Sequence, residues 1–140
     1  MLKVGFIYPL PLTEWVSNIV LVTKKQGTIR VGIDYKDFNK ACPKDNYPTP
    51  FIDQIIDNSA GSAIFSFMDG FSGYNQIEIL PSDQHKTNFL CPWGTFVYRK
   101  LPFSLKNIEA TLQRAMSYAF HDIKHIVDPY LDDLPAHLNQ

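Results

Sequence analysis

Asp69 is the first residue whose type and position could carry chemistry. It ends the apolar run AIFSFMD and precedes the glycine-containing segment GFSGY. A carboxylate at the end of a buried strand can reach into a cleft, and the glycines beside it let a ligand approach the backbone closely. Taken alone, such an Asp is more typical of a turn or a helix cap than of a site.

The pair Asp132-Asp133 follows Tyr130 and Leu131 in an otherwise apolar segment. Adjacent carboxylates in apolar surroundings repel each other unless a cation neutralises them. Proteins usually bind Mg²⁺ through one or two carboxylates together with the phosphate oxygens of a substrate. The pair therefore predicts either a divalent-cation site or, since Asp is common in turns, an ordinary polar hairpin turn.

A basic segment containing Lys24, Lys25 and Arg30 could bind phosphate, because Arg binds it bidentately and Lys supplies a mobile point charge. Residues 24–44 contain six basic and two acidic residues, whereas residues 45–83 contain six acidic residues and no basic one. This segregation fits an acidic metal centre flanked by phosphate-binding segments. By itself it fits the solvated faces of a neutral domain better.

Two histidines, His121 and His125, have the spacing that could hold zinc on a helix. The metalloprotease pattern requires Glu directly after the first histidine, and Asp122 stands there instead. A zinc hydrolase is therefore the weakest of the functional alternatives.

The composition fits one globular domain that can bury a core. The chain has 140 residues, of which 45% are hydrophobic and 19% charged, and its formal net charge is -1. This charge removes the argument for nucleic-acid binding that a globally basic chain would give. The two cysteines are far apart and suggest a reducing compartment. No apolar stretch approaches the roughly 20 residues of a membrane span, so we expect no membrane partner.

The elements that must position these residues follow from hydrophobic periodicity. The segments 18–23 and 28–35 predict a hairpin with a basic tip, and 51–58 predicts a helix with Thr49 as its N-cap. Residues 63–69 predict a buried strand, 108–120 the best helix, and 126–134 a strand, a turn and a second strand. Further strands are predicted at 76–79, 86–90 and 94–101. The mixture without regular βα alternation predicts an α+β fold with an antiparallel sheet.

Five ordered segments together resemble the reverse transcriptases of gypsy-type long-terminal-repeat retrotransposons. They are IDYKDFNK with the basic hairpin before it, YPTPFID, FMDGFSGYNQI, KTNFLCPWGTFVYRKLPFSLKNIEATLQRAM and YLDDL. The resemblance runs from about residue 5 to residue 134. It implies the fingers-palm part of a right-hand polymerase, with an antiparallel palm sheet packed on helices and the thumb absent. The fingers would lie mainly at 14–60 and about 81–105, and the palm mainly at 61–80 and 106–134.

The resemblance implies an RNA-directed DNA polymerase that transfers a nucleotide from a dNTP to a primer 3′-hydroxyl by two-metal catalysis. Asp69, Asp132 and Asp133 match the catalytic aspartates and would bind two Mg²⁺ ions, for which Mn²⁺ could substitute. The backbone carbonyl of Gly70 matches a further metal ligand. Tyr130 and Leu131 match the first two residues of the YxDD hairpin.

Six further residues match the family's nucleotide-binding positions. Arg30 and either Lys24 or Lys25, of which we favour Lys25, would grip the triphosphate. Ser72 and Gly73 would meet it through backbone amides. Tyr74 would exclude the 2′-hydroxyl of ribonucleotides, and Phe103 would pack against the incoming nucleotide.

The implied partners are a primer on an RNA or DNA template, a dNTP, and the thumb, ribonuclease H and integrase regions of a polyprotein. Four residues depart from the family pattern: Ser104 replaces a Gly, Glu109 a small residue or Pro, Pro129 a β-branched residue, and Pro135 part of an apolar strand. The two prolines predict fewer ladder hydrogen bonds in the hairpin. We therefore expect this chain alone to be inactive. The alternative is a non-catalytic relic of a retroelement that binds nucleic acid weakly.

Overall fold

The structure is a computed structural model that describes residues 1–70 and 73–138. Its contacts divide into two compact units, each assembled from two separate stretches of the chain. Unit 1 comprises Met1–Lys44 and Tyr74–Ile108, and unit 2 comprises Asp45–Gly73 and Glu109–Gln140. The predicted sites are therefore divided between two local environments.

The described residues form strands and helices in an interspersed order. They are β1 (Ile7–Pro9), β2 (Ser17–Thr23), β3 (Ile29–Ile33), α1 (Lys36–Ala41), α2 (Ile52–Ser59), β4 (Ile64–Asp69), α3 (Pro81–Gln84), β5 (Phe89–Cys91), β6 (Gly94–Tyr98), α4 (Ile108–Ala119) and β7 (Asp133–Leu138). Short 3₁₀ turns occupy Gly73–Gln76, His85–Thr87 and His121–Ile123. The predicted α+β class is confirmed.

Unit 1 is built on a five-stranded sheet in the order β1-β6-β5-β2-β3, with antiparallel neighbours except for the parallel pair β2 and β5. The predicted basic hairpin is confirmed as β2 and β3. Alternation along these strands pairs Ile19 with Ile33, and Ile33 packs in a core with Tyr35 and Phe89. The buried Tyr35 hydroxyl donates to the carbonyl of Thr87 at 2.8 Å. Burial also raises the pKa of Tyr35.

Unit 2 contains the antiparallel pair β4 and β7, whose register runs from Ile64 opposite Leu138 to Asp69 opposite Asp133. The predicted strand at 63–69 is thus confirmed, but its predicted burial is wrong, because every residue of β4 is exposed. An apolar run predicts a strand from composition alone and does not reveal which elements cover its faces.

Helix α2 lies close to its predicted range, but it begins at Ile52 with Phe51 as its N-cap and no side-chain cap bond. The prediction of Thr49 as the cap is therefore wrong. Helix α4 matches its prediction within one residue and buries Leu112. No helix in the described part of the chain combines the length and apolar character that a bilayer span requires.

Two of the remaining strand predictions need correction. The segment predicted as a strand at 76–79 makes an isolated bridge at Glu78, and its first residue belongs to a 3₁₀ turn. The second strand of the segment predicted at 126–134 does not end at Leu134 but continues to Leu138 as β7, across Pro135. The predicted strands at 86–90 and 94–101 are present in shorter form as β5 and β6.

Candidate functional site

The two acidic motifs lie side by side in unit 2. Asp69 at the end of β4 is the ladder partner of Asp133 at the start of β7. Residues directly opposite each other in an antiparallel pair point to the same face, with Cβ atoms about 4.5–5.5 Å apart. Asp69 and Asp133 are exposed and Asp132 is partly buried. The fold therefore brings together carboxylates that lie far apart in the sequence.

Two glycines allow Asp132 to approach the end of β4. The Gly70 N–H donates to the Asp132 carbonyl at 2.6 Å. A Cβ at Gly70 would lie 2.9 Å from that carbonyl oxygen and 3.0 Å from the Met116 Cε. A Cβ at Gly73 would lie 2.9 Å from Asp132 Oδ1 and 3.3 Å from Leu112 Cδ1. A side chain at position 70 would collide with the Asp132 backbone, so packing requires this glycine, whereas one at position 73 would push the Asp132 carboxylate aside.

Asp132 and Asp133 belong to a tight hairpin turn closed by Tyr130. The N–H of each of Tyr130 and Asp133 donates to the carbonyl of the other, at 2.9 Å in both cases. Leu131, the first residue of the turn, has φ 53°. Primed hairpin turns need a positive φ there and prefer Gly or Asn. For a residue with a Cβ this left-handed conformation costs about 1–2 kcal/mol.

The prolines beside this turn affect the ladder differently. Asp128 donates to the Pro135 carbonyl at 3.0 Å, and Tyr130 pairs with Asp133. Since hydrogen-bonded positions alternate, the backbone groups of Pro129 point away from β7, and its missing N–H removes no bond from this ladder. The prediction for Pro129 is therefore wrong. The donor that Pro135 lacks would face Asp128, so Pro135 removes one bond.

A polar cluster around His137 stabilises the hairpin at the end that is farthest from the acidic turn. His137 on β7 places Nε2 3.3 Å from Asp128 Oδ2, and its Nδ1 lies 3.3 Å from the Ser62 hydroxyl. The His137 N–H also donates to the Ile126 carbonyl at 2.8 Å. The contacts with Ile126 and Asp128 hold the segment before the acidic turn against β7.

The described residues contain no group of three or more His, Cys, Asp or Glu side chains that could hold a metal ion. His121 lies in a 3₁₀ turn after α4 has ended, so the helical spacing assumed for a zinc pair with His125 is not formed. The same finding applies to the three aspartates, whose role in metal binding stays a prediction. Their hard carboxylate oxygens are the donor type that Mg²⁺ and Mn²⁺ prefer.

Three of the predicted nucleotide-binding residues form a row in unit 1. The Arg30 guanidinium lies over the Phe103 ring, 4.5 Å from its centroid. Phe103 meets Tyr74 edge to face, with ring centroids 6.1 Å apart. Such contacts orient all three side chains relative to one another. Lys24 and Lys25 lie at the exposed tip of the hairpin, and Ser72 lies outside the described residues.

The loop that carries Phe103 contains a second strained residue. Ser104 has φ 85°, in the left-handed region that favours glycine. Asn39 brackets it: the Asn39 side-chain amide donates to the Ser104 carbonyl at 2.8 Å, and its oxygen accepts from the Lys106 N–H at 2.8 Å. Asn39 and Ser104 are therefore linked through the backbone of the loop.

The sequence reasoning missed two residues that hold these segments, Asn39 and Gln113. Gln113 on α4 is 1% exposed and bonds to the backbone of the acidic hairpin. A glutamine in an amphipathic helix carries no signal of burial, because Gln is mostly exposed. The one available signal for Asn39 is its place in the segment IDYKDFNK.

An exposed ion pair lies one residue beyond Gln113. The Arg114 guanidinium contacts both Asp45 carboxylate oxygens, at 3.0 and 2.8 Å, and lies over the Tyr47 ring at 4.7 Å. The hydrogen bond from Arg114 is the main reason why the pKa of Asp45 is lowered. This pair connects α4 to the segment that precedes α2.

Comparisons with known proteins identify the family of the chain. The family model described as "Reverse transcriptase (RNA-dependent DNA polymerase)" matches residues 22–140. The Transposon Tf2-3 polyprotein of Schizosaccharomyces pombe is 36% identical over 121 residues, which cover 85% of this chain and 9% of that protein. The Transposon Tf2-7 polyprotein of the same organism is 35% identical over an equal length. The chain thus spans about a tenth of the curated relatives it matches.

Solved structures with a similar fold are foamy virus protease–reverse transcriptases. One has a TM-score of 0.84 at 21% identity and another, in complex with an RNA/DNA hybrid, a TM-score of 0.86 at 22% identity. Each match covers 99% of this chain and 18% of the viral chain. At this level of identity the likeness establishes the fold, which is the one expected for fingers and palm.

Proposed function

The chain belongs to the reverse transcriptase (RNA-dependent DNA polymerase) family, and on that basis we propose that it is the fingers-palm part of a gypsy-type retrotransposon polymerase. The primer 3′-hydroxyl would lose its proton to water, and its oxygen would form a bond to the α-phosphorus of a dNTP. The bond from the α-phosphorus to the oxygen that bridges it to the β-phosphate would break, and pyrophosphate would leave. The pairing of Asp69 with Asp133 is the observation that carries the proposal, because this reaction needs carboxylates from two separate elements.

In this proposal Asp69, Asp132 and Asp133 hold two divalent cations, with the Gly70 carbonyl as an additional ligand. When bound, Mg²⁺ or Mn²⁺ supplies Lewis-acid neutralisation of the phosphate charge. The protein's own contribution is to keep the carboxylates at fixed separations. The register of β4 with β7 and the hydrogen bond from Gly70 to Asp132 support this role.

The predicted nucleotide-binding residues would bind the dNTP. Arg30 and Lys25 would contact the triphosphate, and Gly73 would offer its backbone amide. Tyr74 would lie beneath the sugar and exclude a 2′-hydroxyl, and Phe103 would pack against the nucleotide. The contact row from Arg30 through Phe103 to Tyr74 supports this assignment, because it orders three side chains before any ligand binds.

The alternative is a non-catalytic relic that binds nucleic acid weakly through Lys24, Lys25 and Arg30. The observation in its favour is Ser104, whose left-handed φ places strain in the loop beside Phe103. Primer extension on an RNA template, with Mg²⁺ or Mn²⁺, separates the two functions. Extension that Asp132→Asn abolishes would establish the polymerase, and salt-sensitive binding without extension would favour the relic.

The metal site is tested directly by titrating the chain with Mn²⁺ and following the free ion by electron paramagnetic resonance. We expect Asp69→Asn and Asp132→Asn each to weaken binding about tenfold or more, since each removes a charged ligand. The matched control is Asp53→Asn, which removes an exposed carboxylate from α2 in the same unit. Equal affinities for the wild type and both site variants would contradict the assignment.

A further inference from the structure

The segment that leads into the acidic turn pairs with β7 on one side. On its other side, its backbone is bound by the side chain of Gln113. Gln113 of α4 donates through Nε2 to the Pro129 carbonyl at 2.8 Å. The Leu131 N–H donates to the Gln113 Oε1 at 2.9 Å. Gln113 and Pro129 are both buried, so the bond between them lies away from water, whereas Leu131 is half-buried.

This arrangement reproduces the pairing that a neighbouring strand would provide. A parallel strand binds the carbonyl of one edge residue and the N–H of the residue two further along. The carbonyl of Pro129 and the N–H of Leu131 have this spacing, and one carboxamide offers both a donor and an acceptor. Gln113 therefore takes the place of a strand in unit 2.

The two bonds span the part of the hairpin that is under backbone strain. They bind the residue before Tyr130 and the residue after it, and Leu131 is the residue with φ 53°. Relaxation of this φ would rotate the peptide plane before Leu131 relative to the segment that carries Asp132. The hydrogen bond of the Leu131 N–H to Gln113 holds that plane, and so opposes the relaxation that the strain favours.

The next residue, Asp132, is held from the opposite side of the hairpin. The Gly70 N–H donates to its backbone carbonyl at 2.6 Å. Hydrogen bonds from Gly70 and to Gln113 therefore hold the turn from two sides, and the loss of either would allow Asp132 to shift. A displacement of about 1 Å in a site of this kind can cost on the order of a hundredfold in rate.

We propose that Gln113 is a positioning residue for the metal-binding carboxylates, an inference that rests on the proposed function. Its carboxamide fixes the strained turn and so sets where Asp132 and Asp133 point. Gln113 itself contacts no metal and no substrate in this proposal. Its role is to order the carboxylate ligands before a cation binds, which raises the affinity of the site for divalent cations.

The test compares Mn²⁺ affinity and amide hydrogen exchange in two variants of the full chain. Gln113→Met keeps the length of the side chain and removes both hydrogen bonds. Gln113→Asn keeps the carboxamide but withdraws it by one methylene, which disturbs the fold less. The control is Gln54→Met, an exposed glutamine on α2 of the same unit.

We expect Gln113→Met to weaken Mn²⁺ binding about tenfold per folded molecule and Gln113→Asn to weaken it less, with faster exchange of the Leu131 amide in both. Gln54→Met should leave both measurements unchanged. If Gln113→Met does not fold, the Mn²⁺ affinity and the Leu131 amide exchange of Gln113→Asn decide whether the proposal holds. A folded variant that loses Leu131 protection but binds Mn²⁺ as the wild type does would overturn the proposal and assign Gln113 a purely structural role.

The Asp132→Asn variant distinguishes this failure from failure of the proposed function. If Asp132→Asn still weakens Mn²⁺ binding while the Gln113 variants do not, the metal site stands and the positioning role is wrong. If Asp132→Asn has no effect on Mn²⁺ binding, the proposed function and the positioning role are both overturned.

Discussion

The acidic turn of unit 2 and the Phe103 loop of unit 1 are built alike but in different surroundings. Each contains a residue with a side chain at positive φ, Leu131 at 53° and Ser104 at 85°. Each is bracketed by a carboxamide that makes two hydrogen bonds to the backbone. Gln113 does this in a buried place, whereas the bonds of Asn39 are exposed to solvent.

The difference in burial decides how much each carboxamide contributes to the free energy of unfolding. When a buried partner is removed, the backbone group that it served loses its hydrogen bond and cannot regain one from water, at a cost of about 1–3 kcal/mol. In an exposed place water replaces the lost partner. The same local design should therefore be essential for the acidic turn and dispensable for the Phe103 loop.

The largest expected effect is the loss of stability in Gln113→Met compared with Asn39→Leu, two apolar replacements of similar size. We expect Gln113→Met to lower the free energy of unfolding by about 2–4 kcal/mol, because both the Pro129 carbonyl and the Leu131 N–H lose their partner. Asn39→Leu should cost about 0.5–1.5 kcal/mol. Urea unfolding followed by circular dichroism measures both, and equal losses would refute the argument from burial.

Sequence reasoning predicted the segments of this comparison but not the contacts that hold them. The apolar runs and Asp positions predicted β4, α4 and the acidic turn, because periodicity and turn chemistry are local. The proximity of Asp69 to the Asp132-Asp133 pair is long-range, and only the likeness to a known family of polymerases suggested it. Gln113 and Asn39 escaped prediction because their partners are backbone groups, which have the same chemistry at every position.

The sequence did not predict the exposure of β4, for a different reason. Its residues have the composition of a buried strand, yet Phe67 is 82% exposed. Burial depends on which elements lie over a face, and hydrophobic composition does not state this. The strained φ at Leu131 was likewise unpredictable, because a leucine gives no sign of a left-handed conformation.

A smaller effect is expected from relieving the strain in the exposed loop. Ser104→Gly should raise the free energy of unfolding by about 0.4–1 kcal/mol, because glycine adopts a positive φ without a steric penalty and Ser104 uses its backbone for the bond with Asn39. Ser66→Gly, in the middle of β4 with no positive φ, is the control and should be destabilising. A loss of stability in Ser104→Gly would show that the serine side chain does more than occupy the turn.

The contact between Arg30 and Phe103 should be weaker again. A cation over an exposed aromatic ring contributes about 0.5–1 kcal/mol. A double-mutant cycle with Arg30→Met and Phe103→Leu should yield a coupling energy of that size, measured by urea unfolding. The same cycle with Lys25→Met in place of Arg30→Met is the control. Equal coupling in the two cycles would mean that the ring does not orient Arg30.

We expect the smallest effect on the free energy of unfolding at Arg114, the neighbour of Gln113. It also gives the sharpest contrast with Gln113, because its ion pair is exposed and depends on pH. Arg114 bonds to Asp45 in an exposed place and thereby lowers the pKa of that carboxyl from its usual 3.8. Because the folded pKa is the lower one, the unfolded chain binds more protons as the pH falls towards 3.8 and below. The stabilisation from this pair is therefore complete above that value and disappears as the pH falls through the folded pKa.

We accordingly expect the free energy of unfolding to fall less steeply on acidification in Asp45→Asn than in the wild type, with the difference confined to the region at and below a pH of 3.8. High salt should reduce this difference, since the pair is exposed and screened. Gln113→Met provides the comparison, because its lost hydrogen bonds involve no titrating group and its cost should not change across the same pH range. If the Asp45→Asn variant and the wild type have parallel acid profiles, the ion pair contributes nothing. The connection between α4 and the segment before α2 would then depend on packing alone.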